Sequence, residues 1–147
     1  MPLEDGAVLD VSELEALVAA AVRMMDNVVD ASNFPLEAQR QEAQAKRRIG
    51  LGVTGLADAL LMVGLEYGTD KAAAQTEAWL HSVARASYRA SVALAKAKGA
   101  CPLFDAEQYL ASGAMQPMDA DVRAESAEHG IRNGRSPCIS PTATTTP

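Results

Sequence analysis

"RRIGLGVTGLADAL", residues 47–60, decides how the chain is read, because Gly50, Gly52 and Gly55 fall in the spacing G-x-G-x-x-G. Such a run is either a phosphate cradle or a strand that turns directly into a helix. A dinucleotide-binding turn needs a buried apolar strand ahead of it and an acidic residue closing a second strand about 20 residues on. The residues before Gly50, "EAQAKRRI", are too charged for the central strand of a covered parallel sheet. Asp70 stands at a tempting distance but opens a helical pattern instead of closing a strand. The spacing therefore predicts a strand over 47–53, whose glycines let a neighbour approach closely, and a helix in "TGLADALLMVG". A free-standing nucleotide-binding protein built on the glycine turn is the competing reading.

Around this stretch the pattern is helical. Ser12 and Glu15 form a capping box, and Leu14, Leu17, Val18, Ala21, Met25, Val28 and Val29 then recur every three or four residues. Asn33 and Pro35 suit the start of a polar surface helix, "PLEAQRQEAQAKRR". A long helix is expected from near Asp70 to Gly99, with Trp79, Val83, Ala86, Ala90, Ala93 and Ala97 along one side. Shorter helices are expected from Asp105 to Ala111 and from Asp119 to His129. "RIGLGV" and "PCISP" are the two stretches suited to strands, so the fold class is α/β, and two strands cannot make a covered parallel sheet alone.

The 147 residues suffice for one domain, and 48% hydrophobic residues suit a globular chain. A net charge of -6 supplies no broad basic face, which argues against a nucleic-acid partner. No apolar run reaches transmembrane length and the N-terminus lacks a signal-peptide pattern, so a cytoplasmic location is expected. Cys101, Cys138, His81 and His129 are scattered without metal-ligand spacing, so no metal site is expected. Asp26 and Asp30 lie four residues apart and are expected on a solvated helix face; neither they nor Asp58 and Glu66 qualify as a catalytic pair.

Taken in order, "RMMDNVVDASNFPLEAQ", "RRIGLGVTGLADALLMVGLEYGTD", "ASYRASVALAKAKGACPLFDAEQYLASG" and "HGIRNGRSPCISPTATTT" resemble consecutive pieces of the large catalytic subunit of ribonucleotide reductase. The wording is most similar to the adenosylcobalamin-dependent (class II) enzymes, with the iron-dependent class I subunits more distant. The resemblance implies a helix-rich part of a ten-stranded α/β barrel over residues 1–147, with strands near 47–53 and 137–141 and helices outside. It implies reduction of ribonucleotides by thiyl-radical chemistry, adenosylcobalamin as the cofactor of the complete enzyme, and the remaining barrel segments as partners.

The resemblance also implies a substrate-phosphate loop at Pro141, Thr142, Ala143, Thr144, Thr145 and Thr146, where the family carries Pro-Thr-Gly-Thr-Ile-Ser. Threonine hydroxyls and backbone N–H groups in a turn can hold an anion without a lysine. Ala143 replaces the family's glycine, and in isolation residues 142–147 read as a disordered threonine-rich tail. Arg132 and Asn133, in the family's "IRN" motif, either position this loop or make a helix-end contact that orients the next strand. The family's radical cysteine sits in an Asn-x-Cys-x-Glu arrangement on a finger loop, and neither Cys101 nor Cys138 has those neighbours. Both read as buried small hydrophobes, so no catalytic residue is assigned and the chain is expected to be inactive alone. A helical interaction module without chemistry is the alternative. Strands and helix faces taken out of a barrel, Trp79's among them, predict self-association.

Overall fold

The computed structural model describes residues 6–134. Among them are six helices: α1 (Val11–Ala31), α2 (Glu37–Lys46), α3 (Leu56–Met62), α4 (Asp70–Lys98), α5 (Ala106–Leu110) and α6 (Ala120–His129). The 29-residue α4, about 43 Å long at 1.5 Å per residue, is the spine on which the others lie. Thr69 starts it, its side chain accepting from the Ala72 N–H at 3.3 Å, and Gly99 follows its last residue.

Three apolar clusters attach the other elements to α4. Val18 and Val22 of α1 meet Val83, Ala86 and Leu94. Leu60 of α3 meets Ala72 and Trp79. Met115, Met118 and Val122, around α5 and α6, meet Tyr88. Burying side chains such as Val22, Leu60 and Met115 contributes about 1.5–3 kcal/mol each. Arg85 adds ion pairs from α4 to Asp119 at 3.0 Å and to Asp121, at the start of α6.

Several expectations need correction. The N-cap of α1 is Asp10, whose carboxylate accepts from the Glu13 N–H at 3.0 Å; the capping box at Ser12 does not form because Ser12 already lies inside the helix. Leu17 and Val28 are 65% and 55% exposed, since the face that meets α4 runs through Val18, Val22 and Asp26. Helix α2 starts at Glu37 rather than at Pro35, and as expected buries nothing. Trp79, expected to lie uncovered, is only 8% exposed, because Leu60 and the partly buried residues of α3 cover it.

The segment after α2 is not helical. Ile49 is buried and Leu51 and Val53 are half-buried against the α1–α4 cluster, while Arg48, Gly50, Gly52 and Thr54 are exposed. This period of two is the burial pattern of a strand with one covered face. The segment makes one sheet-like bridge, at Arg48, and no continuous strand forms among the described residues. The second expected strand, 137–141, lies outside the described residues, as does the tail 142–147. Gly55, at φ 74°, makes the turn into α3, the conformation that glycine adopts without steric cost.

Candidate functional site

Where α1, α4 and the end of α2 converge, one carboxylate is wholly enclosed. Asp26 is 0% exposed, four residues beyond Val22 and eight beyond Val18 on the buried row of α1. The expectation of a solvated Asp26 is thus overturned, because the row that carries it faces α4; Asp30, one turn further, is 46% exposed.

Arg47 is the principal partner of Asp26. It ends α2 at φ 42°, ψ 48°, the single non-glycine residue with positive φ among those described. That backbone sends its side chain back toward α1, where it is 4% exposed. Arg47 Nε and Nη2 donate to Asp26 Oδ1 at 2.9 and 2.6 Å, and Nη2 also donates to the Asp26 main-chain oxygen at 3.0 Å. Nη1 donates to Asp30 Oδ1 at 2.7 Å. From the end of α4, Lys98 Nζ donates to Asp26 Oδ2 at 3.2 Å and to Asn27 Oδ1 at 2.9 Å.

The segment 131–134 is fastened to this hub. Asn133, 1% exposed, donates through Nδ2 to Asp26 Oδ1 at 3.1 Å. Its N–H donates to Ser91 Oγ at 3.0 Å, and that hydroxyl donates to Asn133 Oδ1 at 3.2 Å, so the amide is held from both ends. The Arg132 N–H donates to Ser91 O at 3.2 Å. Arg132 Nη1 donates to the terminal carbonyls of α4, Lys98 O at 3.3 Å and Gly99 O at 3.2 Å, where the helix dipole favours a cation. Arg132 Nε lies 3.4 Å from Asp26 Oδ1 without making a hydrogen bond. Cys101 N–H donates to Ile131 O at 2.9 Å and Gly134 N–H to Lys46 O at 3.1 Å.

Three cations, Arg47, Lys98 and Arg132, thus face two carboxylates, Asp26 and Asp30, leaving one positive charge in excess. Burial pushes the Asp26 carboxyl upward, but hydrogen bonds from Arg47 and Lys98, the Arg47 charge and the Asn133 amide outweigh it and hold the group below the usual carboxylate range. The Arg47 hydrogen bond does the same for Asp30. A carboxylate so fully hydrogen-bonded holds structure together and is a poor proton acceptor.

Of the site residues expected from sequence, Arg132 and Asn133 meet at this hub, while Pro141, Thr142, Ala143, Thr144, Thr145 and Thr146 lie outside the described residues. Cys101 is 6% exposed and burial raises its thiol pKa, as suits an inert buried cysteine. Sequence reasoning missed Asp26, Arg47 and Lys98. A signal for Asp26 existed, since it stands in phase with Val18 and Val22, where an acidic residue demands a buried partner.

The sequence matches the family described as "Ribonucleotide reductase, barrel domain" over residues 3–146. It is 37% identical over 111 residues to the Vitamin B12-dependent ribonucleoside-diphosphate reductase of Mycobacterium tuberculosis, a match covering 76% of this chain and 16% of that protein. The protein of the same name from Thermoplasma acidophilum is 33% identical over 109 residues, covering 74% of this chain and 14% of the relative. The ribonucleoside-diphosphate reductase subunit alpha of Treponema pallidum is 30% identical over 142 residues, covering 92% and 17%. The chain therefore spans 14–17% of the length of these relatives. No helix among the described residues is long and apolar enough to cross a membrane. With a family match that runs almost end to end, this chain belongs to the ribonucleotide reductase barrel-domain family.

Proposed function

We propose that the chain contributes barrel wall and part of the substrate-phosphate loop to a ribonucleotide reductase that converts ribonucleotides to deoxyribonucleotides in the cytoplasm. The family match over residues 3–146 carries this reading. Segment 47–53 serves as one barrel strand; the alternating burial of 48–53, which follows the left-handed Arg47 at the end of α2, supports that role. The second barrel strand of the resemblance, 137–141, lies outside the described residues.

Residues 141–146 hold the substrate phosphate through threonine hydroxyls and turn N–H groups. Arg132 and Asn133 position that loop, and the positive excess of the hub beneath them favours an anion. The remaining barrel segments are obligatory partners, and the radical chemistry belongs to them. Without them, the exposed Leu17, Met24, Leu61 and Tyr67 favour self-association.

Adenosylcobalamin is the cofactor we assign to the complete enzyme, where it would supply the radical. The described residues do not fit it: His81 and His129 lie on helix surfaces beside Asp119 and Glu128. Cavities of about 460 and 480 Å³ around Tyr67 are lined by neither histidine, cysteine nor methionine.

The test is to combine the chain with the segments of a relative that flank it and to assay conversion of ribonucleoside to deoxyribonucleoside diphosphate. Turnover that depends on the chain supports the proposal. Absence of turnover with every piece folded and assembled rejects it in favour of a helical module without chemistry.

A further inference from the structure

We propose that the exposed side of α1 is a pairing surface for a second copy of this chain, which lies antiparallel across it as a short two-helix seam. The pairing rests on the self-association proposed for the chain without its remaining segments, and it gives that association a face and a direction. Leu17, Met24 and Val28 are each more than half exposed. With Ala21 they follow one another at intervals of four, three and four residues, the spacing by which two helices lock along a common seam. At 3.6 residues per turn the four lie within about 60° of one another, over a length of about 16 Å. The buried row of Val18, Val22 and Asp26 lies on another side of the helix, so a partner on the stripe displaces nothing from α4.

Side-chain size selects the direction. When two copies of α1 run antiparallel about a two-fold axis between Ala21 and Met24, Met24 of each lies over Ala21 of the other and Leu17 lies over Val28. Each level then sets a larger side chain against a smaller one, as close packing requires. At the ends, the half-buried Leu14 comes opposite Ala31. A parallel pair would instead stack Ala21 on Ala21 and leave a gap.

Charge selects the same direction. Glu13 is the one charged residue of α1 within about a quarter turn of the stripe's centre. At the opposite end of the helix, Lys98 Nζ donates to Asn27 Oδ1 at 2.9 Å, and there three cations face two carboxylates. Antiparallel pairing brings Glu13 of each copy to the positive end of the other. Parallel pairing would gather the two Glu13 carboxylates at one end and the two positive hubs at the other. Three large side chains fall short of the roughly 800 Å² that each partner of a standard interface buries, so the dimer should be weak, with a Kd of roughly ten to a hundred micromolar.

Sedimentation of the 147-residue chain over about 1–300 µM should show a monomer–dimer equilibrium. Met24→Lys should weaken it at least about tenfold, and Leu61→Lys, at an exposed leucine of α3 outside the stripe, by less than about threefold. Should Met24→Lys not fold, Met24→Ala, which leaves alanine facing alanine, takes its place with the same expectation. Disulfide trapping in a Cys138→Ser background reads the direction. Under mild oxidation, Leu17→Cys mixed with Val28→Cys should form the crossed dimer, while Leu17→Cys alone should not, because its two copies stand about 16 Å apart. Leu17→Cys joining itself as readily as it joins Val28→Cys overturns the proposal. A dimer abolished by Leu61→Lys and untouched by Met24→Lys keeps self-association but overturns the seam, and a monomer at every concentration overturns both. Association of Met24 only with added flanking segments of a relative gives the stripe to those segments and likewise overturns the proposal.

Discussion

Replacing Arg47 by alanine and by glycine separates the two things this residue does. Arg47→Ala removes the guanidinium that bonds Asp26 at 2.9 and 2.6 Å and Asp30 at 2.7 Å, leaving Asp26 enclosed and charged. Removing one partner of a buried pair costs about 3–5 kcal/mol. Lys98 and Asn133 remain bonded to Asp26, which places the loss near the lower end, at about 3 kcal/mol. Alanine keeps the backbone cost, because a left-handed L-residue is disfavoured by about 1–2 kcal/mol. Glycine abolishes that cost and adds about 0.4–1 kcal/mol of unfolded-state entropy. Arg47→Gly should therefore be more stable than Arg47→Ala by about 0.5–1 kcal/mol, although both lose the same ion pair. Urea unfolding with an unchanged m-value measures both differences. Against a total stability of about 5–15 kcal/mol, the alanine variant should also melt roughly 6–12 °C lower. A loss below about 1 kcal/mol for Arg47→Ala would show that the hub is not a net stabiliser, and a glycine variant no better than alanine would remove the argument from backbone strain.

Acid should weaken the fold through the same hub. The carboxyls of Asp26 and Asp30 are held low in the folded chain, so their stabilisation is complete above the ordinary carboxylate value near 4 and is lost as pH falls through their lower folded values. The unfolding free energy of Asp26→Asn should vary less with pH below about 4 than that of the unsubstituted chain; equal slopes refute this. On α1, Val22→Ala should cost roughly 2 kcal/mol and Leu17→Ala less than about 0.5, since Val22 is 0% and Leu17 65% exposed; reversed costs in urea unfolding would mean that another face of α1 meets α4. In a Cys138→Ser background, Cys101 should react with a thiol reagent at pH 8 only as the chain opens, because burial excludes the reagent and raises the thiol pKa; rapid labelling of the folded chain contradicts its enclosure.

What the sequence alone determined is what depends on neighbours within a turn or two. The ends of α4 near Asp70 and at Gly99, the polar character of α2 and the glycine turn at Gly55 all follow from local bonding and backbone freedom, and each is found where expected. The family, too, was legible in its motifs. Even the strand-like alternation of Ile49, Leu51 and Val53 is a property of the segment itself, although a ladder requires neighbours that the segment does not contain.

The tertiary structure alone decided the hub. Asp26 meets Arg47, Lys98 and Asn133 across 21, 72 and 107 residues of chain. Nothing in the local spacing of Asp26 and Asp30 says that one is enclosed and the other half exposed; that depends on which face of α1 meets α4. Helix periodicity defines a stripe only to within about a residue's rotation, and at that precision Val28 and Asp26 are rivals for the interior. Asp26 occupies it because an arginine, a lysine and an asparagine, brought from three distant places, together offset the cost of burying its charge.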